Sequence, residues 1–475
     1  MHRSVKTTAR RGRHRLVATI TLVACAALAA VASPAAASGA DNGPPPGRGT
    51  KKRHADPTIG PLVAGTASYI DGTFVWTDYA LDDRGPNTVE TSVVGPRCTT
   101  PGGPDCSGGD AAYAPWAAPG NTADLIQLQI GADHRGVTIR AVLGSLVNPS
   151  LPVLGVAFDT DADTATGAAT LPGGRWPAVD PLGVEKLVVA SADGAQLWSH
   201  LTGSWQRVDL PPGLLRAHVD PERNTIDVRI HHSVLPATSG VWRAFGVLGV
   251  QNPDGGSWVD GSEEIMDLAF VGNEPFVRWQ ENRQADILAG TRATTHAGLS
   301  SAEAAAQLDW NKIWGRVTEL TDATSPGFHT YLFRSKLDLP EGVTTPAPEV
   351  SLGQHEYLGP YQPYLVFIPE SPPPGNPLTV DLHGANNNHL QSIFVVPNGD
   401  YVGTSRQGSE DFFLVTQFVP DVGVFPTLPE TITIYPLGRG ETLGYRGISE
   451  IDVLEATADA IERLDIDPNR VSLQG

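Results

Sequence analysis

The chain reads as a multidomain protein: an all-β sandwich of the jelly-roll kind, followed by a segment of alternating strands and helices. Three observations carry this reading. Residues 60–275 are dominated by period-two alternation. Gly (51) and Pro (40) are plentiful, as a turn-rich β-structure requires. Beyond residue 346, apolar strands alternate with a helical pattern, the order of a largely parallel sheet. A length of 475 residues also exceeds what one core accommodates.

The first 37 residues have the pattern of an export signal. Arg3, Lys6, Arg10, Arg11, Arg13 and Arg15 form a basic start, Leu16–Ala32 is apolar, and Ala35-Ala36-Ala37 supplies small residues for cleavage. The expectation is a secreted protein with no stable membrane insertion once the signal is removed. Residues 38–59 are rich in Gly, Pro and Lys/Arg and read as a linker. The net charge of −19 excludes nucleic acid as a partner, because phosphate binding needs a basic face.

Within 60–275, Ile126, Leu128 and Ile130 alternate with Gln127 and Gln129. Val137 and Ile139 alternate with Thr138 and Arg140, and Ile226, Val228 and Ile230 with Asp227 and Arg229. Such alternation places one face on a core and the other in water. Asp193-Gly194 and Asp254-Gly255-Gly256 mark turns. Residues 276–345 form a bridging region. There Ser300-x-x-Glu303 predicts a capped helix over Ala302–Trp314. In 346–475 the expected strands are Leu365–Pro369, Leu378–Leu382, Thr431–Tyr435 and Arg470–Leu473. Ser449-x-x-Asp452 is expected to cap a helix with Ile451, Leu454, Ala458 and Ile461 as its apolar stripe.

Two acidic turns carry chemistry. Asp159, Asp161 and Asp163 stand at alternate positions after an apolar strand. Crowded carboxylates repel, and a hard cation such as Ca²⁺ relieves the repulsion with oxygen ligands. These three are candidate calcium ligands, although the spacing is not that of an EF-hand. Asp78, Asp82 and Asp83 form a second acidic turn. The same pattern suits solvated aspartates that cap backbone N–H groups. No other cofactor is called for.

These stretches also carry a resemblance. Trp76-Thr77-Asp78-Tyr79-Ala80-Leu81-Asp82-Asp83, the turn Phe158–Gly167 and Ile226-Asp227-Val228-Arg229-Ile230 look like glucodextranase C-terminal and DOMON-like sandwiches. That resemblance implies a jelly-roll-like domain that binds carbohydrate or calcium. Trp176, Trp198, Trp205, Trp242 and Trp258 could form a sugar-stacking platform, but scattered tryptophans in a sandwich more often belong to its core.

The C-terminal part carries a second resemblance, in an ordered set of motifs. Tyr361–Pro369 is followed by Leu382-His383-Gly384, Pro436-Leu437-Gly438-Arg439-Gly440, Tyr445–Val453 and Asp465–Val471. Together they resemble the prolyl-oligopeptidase-like and esterase-like branch of the α/β-hydrolases. The resemblance implies an incomplete α/β-hydrolase domain over 346–475. His383, Gly384, Ala385 and Asn386 would form its oxyanion loop, where a glycine lets backbone N–H donors approach the substrate. Gly475 would be the first glycine of the G-x-S-x-G nucleophile elbow. The family's serine, acid and histidine follow that point, so the expectation is a fragment of a secreted serine hydrolase. Its intact parent would cleave a peptide or ester through an acyl-enzyme, while this chain lacks the triad. Glu450 and Asp452 are assigned to the helix start, and Arg439 and Arg446 to pairing with carboxylates. The rival expectation is a non-catalytic extracellular sandwich that binds carbohydrate or calcium.

Cys98 and Cys106 flank a Gly/Pro/Asp-rich loop, and in an exported protein such a pair reads as a disulfide. Non-reducing peptide mapping of secreted material is expected to find them cross-linked. Two free thiols would refute the bridge.

Overall fold

The computed structural model describes residues 55–83, 85–86, 113–117, 121–174, 181–271, 284, 287–288, 304–337, 359–383, 389, 429–440, 445 and 447–475. The signal, Cys98, Cys106, Trp176, Ser300, Glu303, Gly384, Ala385, Asn386 and Arg446 lie outside them.

Thirteen strands build the first two sheets, and the first twelve fall between residues 66 and 269. They are β1 (Thr66–Ile70), β2 (Thr73–Thr77), β3 (Leu125–Asp133), β4 (Gly136–Leu143), β5 (Pro152–Asp159) and β6 (Lys186–Ser191). After these come β7 (Gly194–Leu201), β8 (Ser204–Val208), β9 (Leu215–Asp220), β10 (Thr225–His231), β11 (Val241–Val250) and β12 (Ile265–Ala269). Sheet one runs β1-β2-β3-β4-β10-β9 and sheet two β12-β11-β5-β6-β7-β8. All their pairings are antiparallel. The two sheets share one core and form a sandwich. Leu128, Ile130, Ile139, Ile226 and Val228 of one meet Leu154, Val156, Phe158, Val188 and Leu248 of the other.

Of the expected wet face of sheet one, β4 and β10 keep Arg140, Asp227 and Arg229 partly exposed, whereas that of β3 is buried. The register of β3 shifts between Leu125 and Gln127. This bulge turns Ile126 away from the sandwich core, onto Leu332, Tyr361, Leu365 and Tyr435. Gln127 and Gln129 are buried as well. The Ile59 N–H donates to Gln127 Oε1 (3.0 Å), and Gln127 Nε2 donates to Ile59 O (2.9 Å). Gln129 Nε2 donates to Pro57 O (2.9 Å). Residues 57–59 are therefore a strap on the sandwich rather than the end of a linker.

The bridging region also departs from expectation. Residues Ala306–Asp309 form β13, paired antiparallel with Val241–Ala244 of β11. Within the described part of the expected helix, Trp310–Trp314 is α-helical (α1), opened by Asp309, whose carboxylate accepts the Asn311 N–H. The free edge of β11 outweighs the helix propensity of an alanine-rich run, since it offers backbone partners and burial.

Sheet three contains β14 (Gly327–Arg334), β15 (Tyr361–Ile368), β16 (Leu378–Asp381), β17 (Ile432–Pro436) and β18 (Val471–Gln474). Its order is β14-β15-β17-β16-β18. The sheet is mixed: β16, β17 and β18 are parallel, whereas β15 runs against both its neighbours. The strap reaches this sheet too. The Leu332 N–H donates to Leu62 O (2.9 Å) and the Ala64 N–H to Thr330 O (2.8 Å).

Helix α2 (Ile448–Arg463) packs on the other face of sheet three. Its orientation corrects the expected stripe. Val453, Ala456 and Ala460 face the sheet, and their small size allows close approach. Ile451 and Leu454 are 38% and 60% exposed. Ser449 is not the cap: Gly447 occupies that position, without a side-chain hydrogen bond. Among the described residues no helix is long and apolar enough to cross a membrane.

Ile126→Ala is expected to cost about 2–5 kcal/mol in urea denaturation, because it empties a fully buried site between sheets one and three. Leu201→Ala, at a half-exposed position, is expected to stay within about 0.5 kcal/mol. Equal losses at the two sites would contradict this packing.

Candidate functional site

The parallel strands β16, β17 and β18 end on one edge of sheet three. From β16 the chain moves to β17 on one side, and from β17 to β18 on the other. Such a switch point opens a crevice outside the carboxyl ends of the strands, the usual place for a ligand in an open α/β sheet.

Three segments line this edge. After β16, the Leu382 N–H donates to Gln474 O (2.9 Å). A side chain at Gly475 would stand 2.8 Å from Leu382 Cβ, so only glycine allows the two strand ends to approach this closely. His383 is held at both ends: its N–H donates to Tyr445 Oη (2.9 Å), and Nε2 donates to Leu437 O (3.0 Å). A carbonyl only accepts, which fixes the proton on Nε2. His383 thus anchors the loop ends after β16 and β17. Asp381, half-buried at the end of β16, is raised by burial.

The loop after β17 is tied to α2. The Gly438 N–H donates to Asp452 Oδ2 (3.0 Å), and Arg439 Nε lies 3.4 Å from Asp452 Oδ1. Arg439 Nη1 also donates to Gly359 O (3.2 Å). Burial pushes the Asp452 carboxyl up to about 7, opposed by the Arg439 guanidinium. Arg439 therefore pairs with a carboxylate in the interior. The described serines of this region do not stand on a strand-to-helix turn. Ser472 lies within β18 and donates to Leu378 O (3.2 Å), and Ser449 is buried in α2.

The turn after β5 brings Asp159 and Asp161 together with Glu185, their oxygens within 4.8 Å of one another, and Asp163 falls outside that group. Every member has internal partners. Asp159 is buried against Arg243, directly across the β5–β11 pair, with Oδ2 accepting from Nε (2.7 Å) and Nη2 (2.5 Å). The Asp163 N–H donates to Asp161 Oδ1 (3.0 Å) and is the main cause holding that carboxyl below its usual range. The Ala165 N–H donates to Asp163 (2.9 Å), and the Thr160 N–H to Glu185 (2.8 Å). Glu185 was not legible in sequence, having no local motif.

The second acidic turn has a different environment. Asp78 and Asp82 meet Asp124, just before β3, and Asp267 of β12, all buried. Oxygens of Asp82, Asp124 and Asp267 lie within 4.8 Å of one another. Burial first, then mutual repulsion, pushes all four carboxyls well above their usual range. Asp83 accepts a hydrogen bond from Tyr113. Sequence separation hid Asp124 and Asp267 from the motif.

Of the tryptophans, Trp242 and Trp258 are core residues. Trp198 and Trp205 are half-buried against the outer cluster of sheet two, and Trp205 Nε1 donates to Thr170 O (2.8 Å). Comparison of the chain with protein-family models, curated proteins and solved structures found no match.

Asp452 generates a pH prediction. Its folded value of about 7 exceeds the ordinary 3.8, so between those values the folded chain keeps a proton that the unfolded chain releases. Its contribution to stability is greatest below about pH 4 and falls, by at most about 1.4 kcal/mol per pH unit, as pH rises through 7. The stability difference, wild type minus Asp452→Asn, is expected to shrink from pH 4.5 to pH 8 in urea titrations. A difference that grows with pH would contradict the buried, raised carboxyl.

Proposed function

We propose that residues 327–475 are the first part of a serine-hydrolase core, from an exported peptidase or esterase of the prolyl-oligopeptidase-like and esterase-like type. The carrying observation is the topology of sheet three. Counted along the chain, its strands stand in the order 1-2-4-3-5, with the second running against the rest. This is how an α/β-hydrolase sheet begins. In that fold an oxyanion donor comes from the loop after the third strand, and the nucleophile sits on the turn after the central strand that precedes its helix. Here the third strand is β16, which leads into His383, and the fifth is β18, which leads into Gly475. Their ends touch.

On this reading His383 positions the oxyanion loop and takes no proton from the substrate, since its Nε2–H is engaged by Leu437 O. Residues Gly384–Asn386 would supply one N–H to the oxyanion, and the residue after the serine the other. The serine belongs two residues beyond Gly475. A peptide or ester carbonyl would lie over the β16 and β18 ends, attacked from the elbow to give an acyl-enzyme.

A fluorophosphonate probe tests this. The 475-residue chain is expected to remain unlabelled. The product of the same reading frame, extended beyond Gly475, is expected to label at the serine two residues on. Labelling of any serine within residues 1–475, or an extended frame without a serine at that place, overturns the proposal.

A further inference from the structure

We infer that Asp82, Asp124 and Asp267 form a calcium site that closes the sandwich where the segment after β2 meets β3 and β12. Each flanking carboxylate uses one oxygen on a backbone N–H: Asp124 Oδ1 accepts from Leu81 (2.8 Å) and Asp267 Oδ2 from Leu125 (2.7 Å). These bonds fix the carboxylates and leave Asp124 Oδ2 and Asp267 Oδ1 without a hydrogen-bond partner. Asp82 has both oxygens without one. The three residues are 1%, 1% and 0% exposed in the order Asp82, Asp124, Asp267, so they are closed to bulk solvent.

A neutral residue points the same way. Asn121 is 5% exposed, and its Oδ1 also lacks a partner. Its amide lies beside Asp124: Asn121 Nδ2 and Asp124 Oδ2 stand 2.9 and 2.1 Å from the place a side chain would occupy at Gly144. Glycine there leaves room for both. The Asn121 amide N–H group thus faces the Asp124 carboxylate and helps to orient it. Asp78 Oδ2, likewise buried and without a partner, borders the group.

Distance and chemistry select the ion. Oxygens ligating one Ca²⁺ at about 2.3–2.6 Å stand at most roughly 5 Å apart. The carboxylate oxygens here satisfy that limit, at 4.8 Å or less. Asp82 can bind through both oxygens, having neither engaged in a hydrogen bond. Magnesium keeps several waters, which a site built of protein oxygens and closed to bulk solvent does not favour. Zinc favours sulfur and imidazole, which this oxygen set does not offer. The turn at Asp159, Asp161 and Glu185 is the internal contrast: Arg243 and backbone N–H groups already occupy its oxygens.

The test uses the full chain, stripped with chelator and titrated with CaCl₂ by calorimetry, alongside thermal unfolding. One ion per chain is expected, with a Tm several degrees higher at saturation and at least ten-fold weaker binding of Mg²⁺. Asp82→Asn is expected to weaken Ca²⁺ binding at least ten-fold and to abolish the Ca²⁺-dependent rise in Tm. Because it removes a repelling charge, it is also expected to fold without calcium at least as stably as the stripped wild type. Asp161→Asn is expected to leave binding unchanged. Absence of binding at millimolar Ca²⁺ would overturn the site, as would binding that survives Asp82→Asn or is lost in Asp161→Asn.

Discussion

Burial of β3 on both faces is the constraint on which the rest of the molecule depends. Leu128 and Ile130 fill the sandwich core, and the bulge at Leu125/Gln127 sends Ile126 the other way. A sheet with apolar and amide groups on its outer face must be covered, and the amides must be satisfied. The strap from Pro57 to Ala64 does both. Its Pro57 and Ile59 backbone groups meet Gln129 and Gln127, and its Leu62 and Ala64 groups then bond to β14. Arg463 of α2 donates to Leu62 O and Leu332 O, closing the contact from the far side. Sandwich and third sheet are therefore joined by backbone hydrogen bonds as well as by apolar packing.

The same strand organises the acidic cluster. Asp124 stands immediately before β3, and Asp267 receives the Leu125 N–H. The carboxylates are thus held by the first residues of the most buried strand. Two clusters of similar composition end differently for a simple reason. Asp159 has Arg243 directly across a strand pair, so its charge is balanced within the fold. Asp82, Asp124 and Asp267 converge from three separate segments, and the bonds they receive are neutral N–H groups that orient a carboxylate without cancelling its charge.

Much of the secondary structure was legible because period and turn chemistry are local. The alternations at 126–130, 137–141 and 226–230 all fall in strands, and the strands of 346–475 begin and end within a few residues of their expected limits. What was illegible is long-range. Ala306–Asp309 reads as helix in isolation, and only the free edge of β11 makes it a strand. The face of α2 could not be chosen from its sequence, because Ile451 and Leu454 outweigh Val453, Ala456 and Ala460 in hydrophobicity, while the sheet selects for small size. Gln127 and Gln129 carry the signature of a wet face, and the backbone that satisfies them lies 68 and 72 residues away. For the site, His383 was visible as a strand-end motif, whereas Glu185, Asp124 and Asp267 have no local signature.

The edge of sheet three is shaped by groups that bond to one another. The residues that follow β16 and β17 are tied together there. His383 spans them, with Tyr445 on its N–H and Leu437 on its ring, and Gly438 leaves room for the Tyr445 ring, which would meet a side chain there at 2.5 Å. Arg439 and Asp452 then fix the second loop to α2 from below. Removing Arg439 would take from Asp452 the guanidinium that offsets its burial, a larger cost than loss of a surface pair. The polar residues near this edge that look most like catalytic groups are consumed in shaping it. The ionisable side chains His383, Arg439 and Asp452 therefore act as scaffold for the strand ends of sheet three.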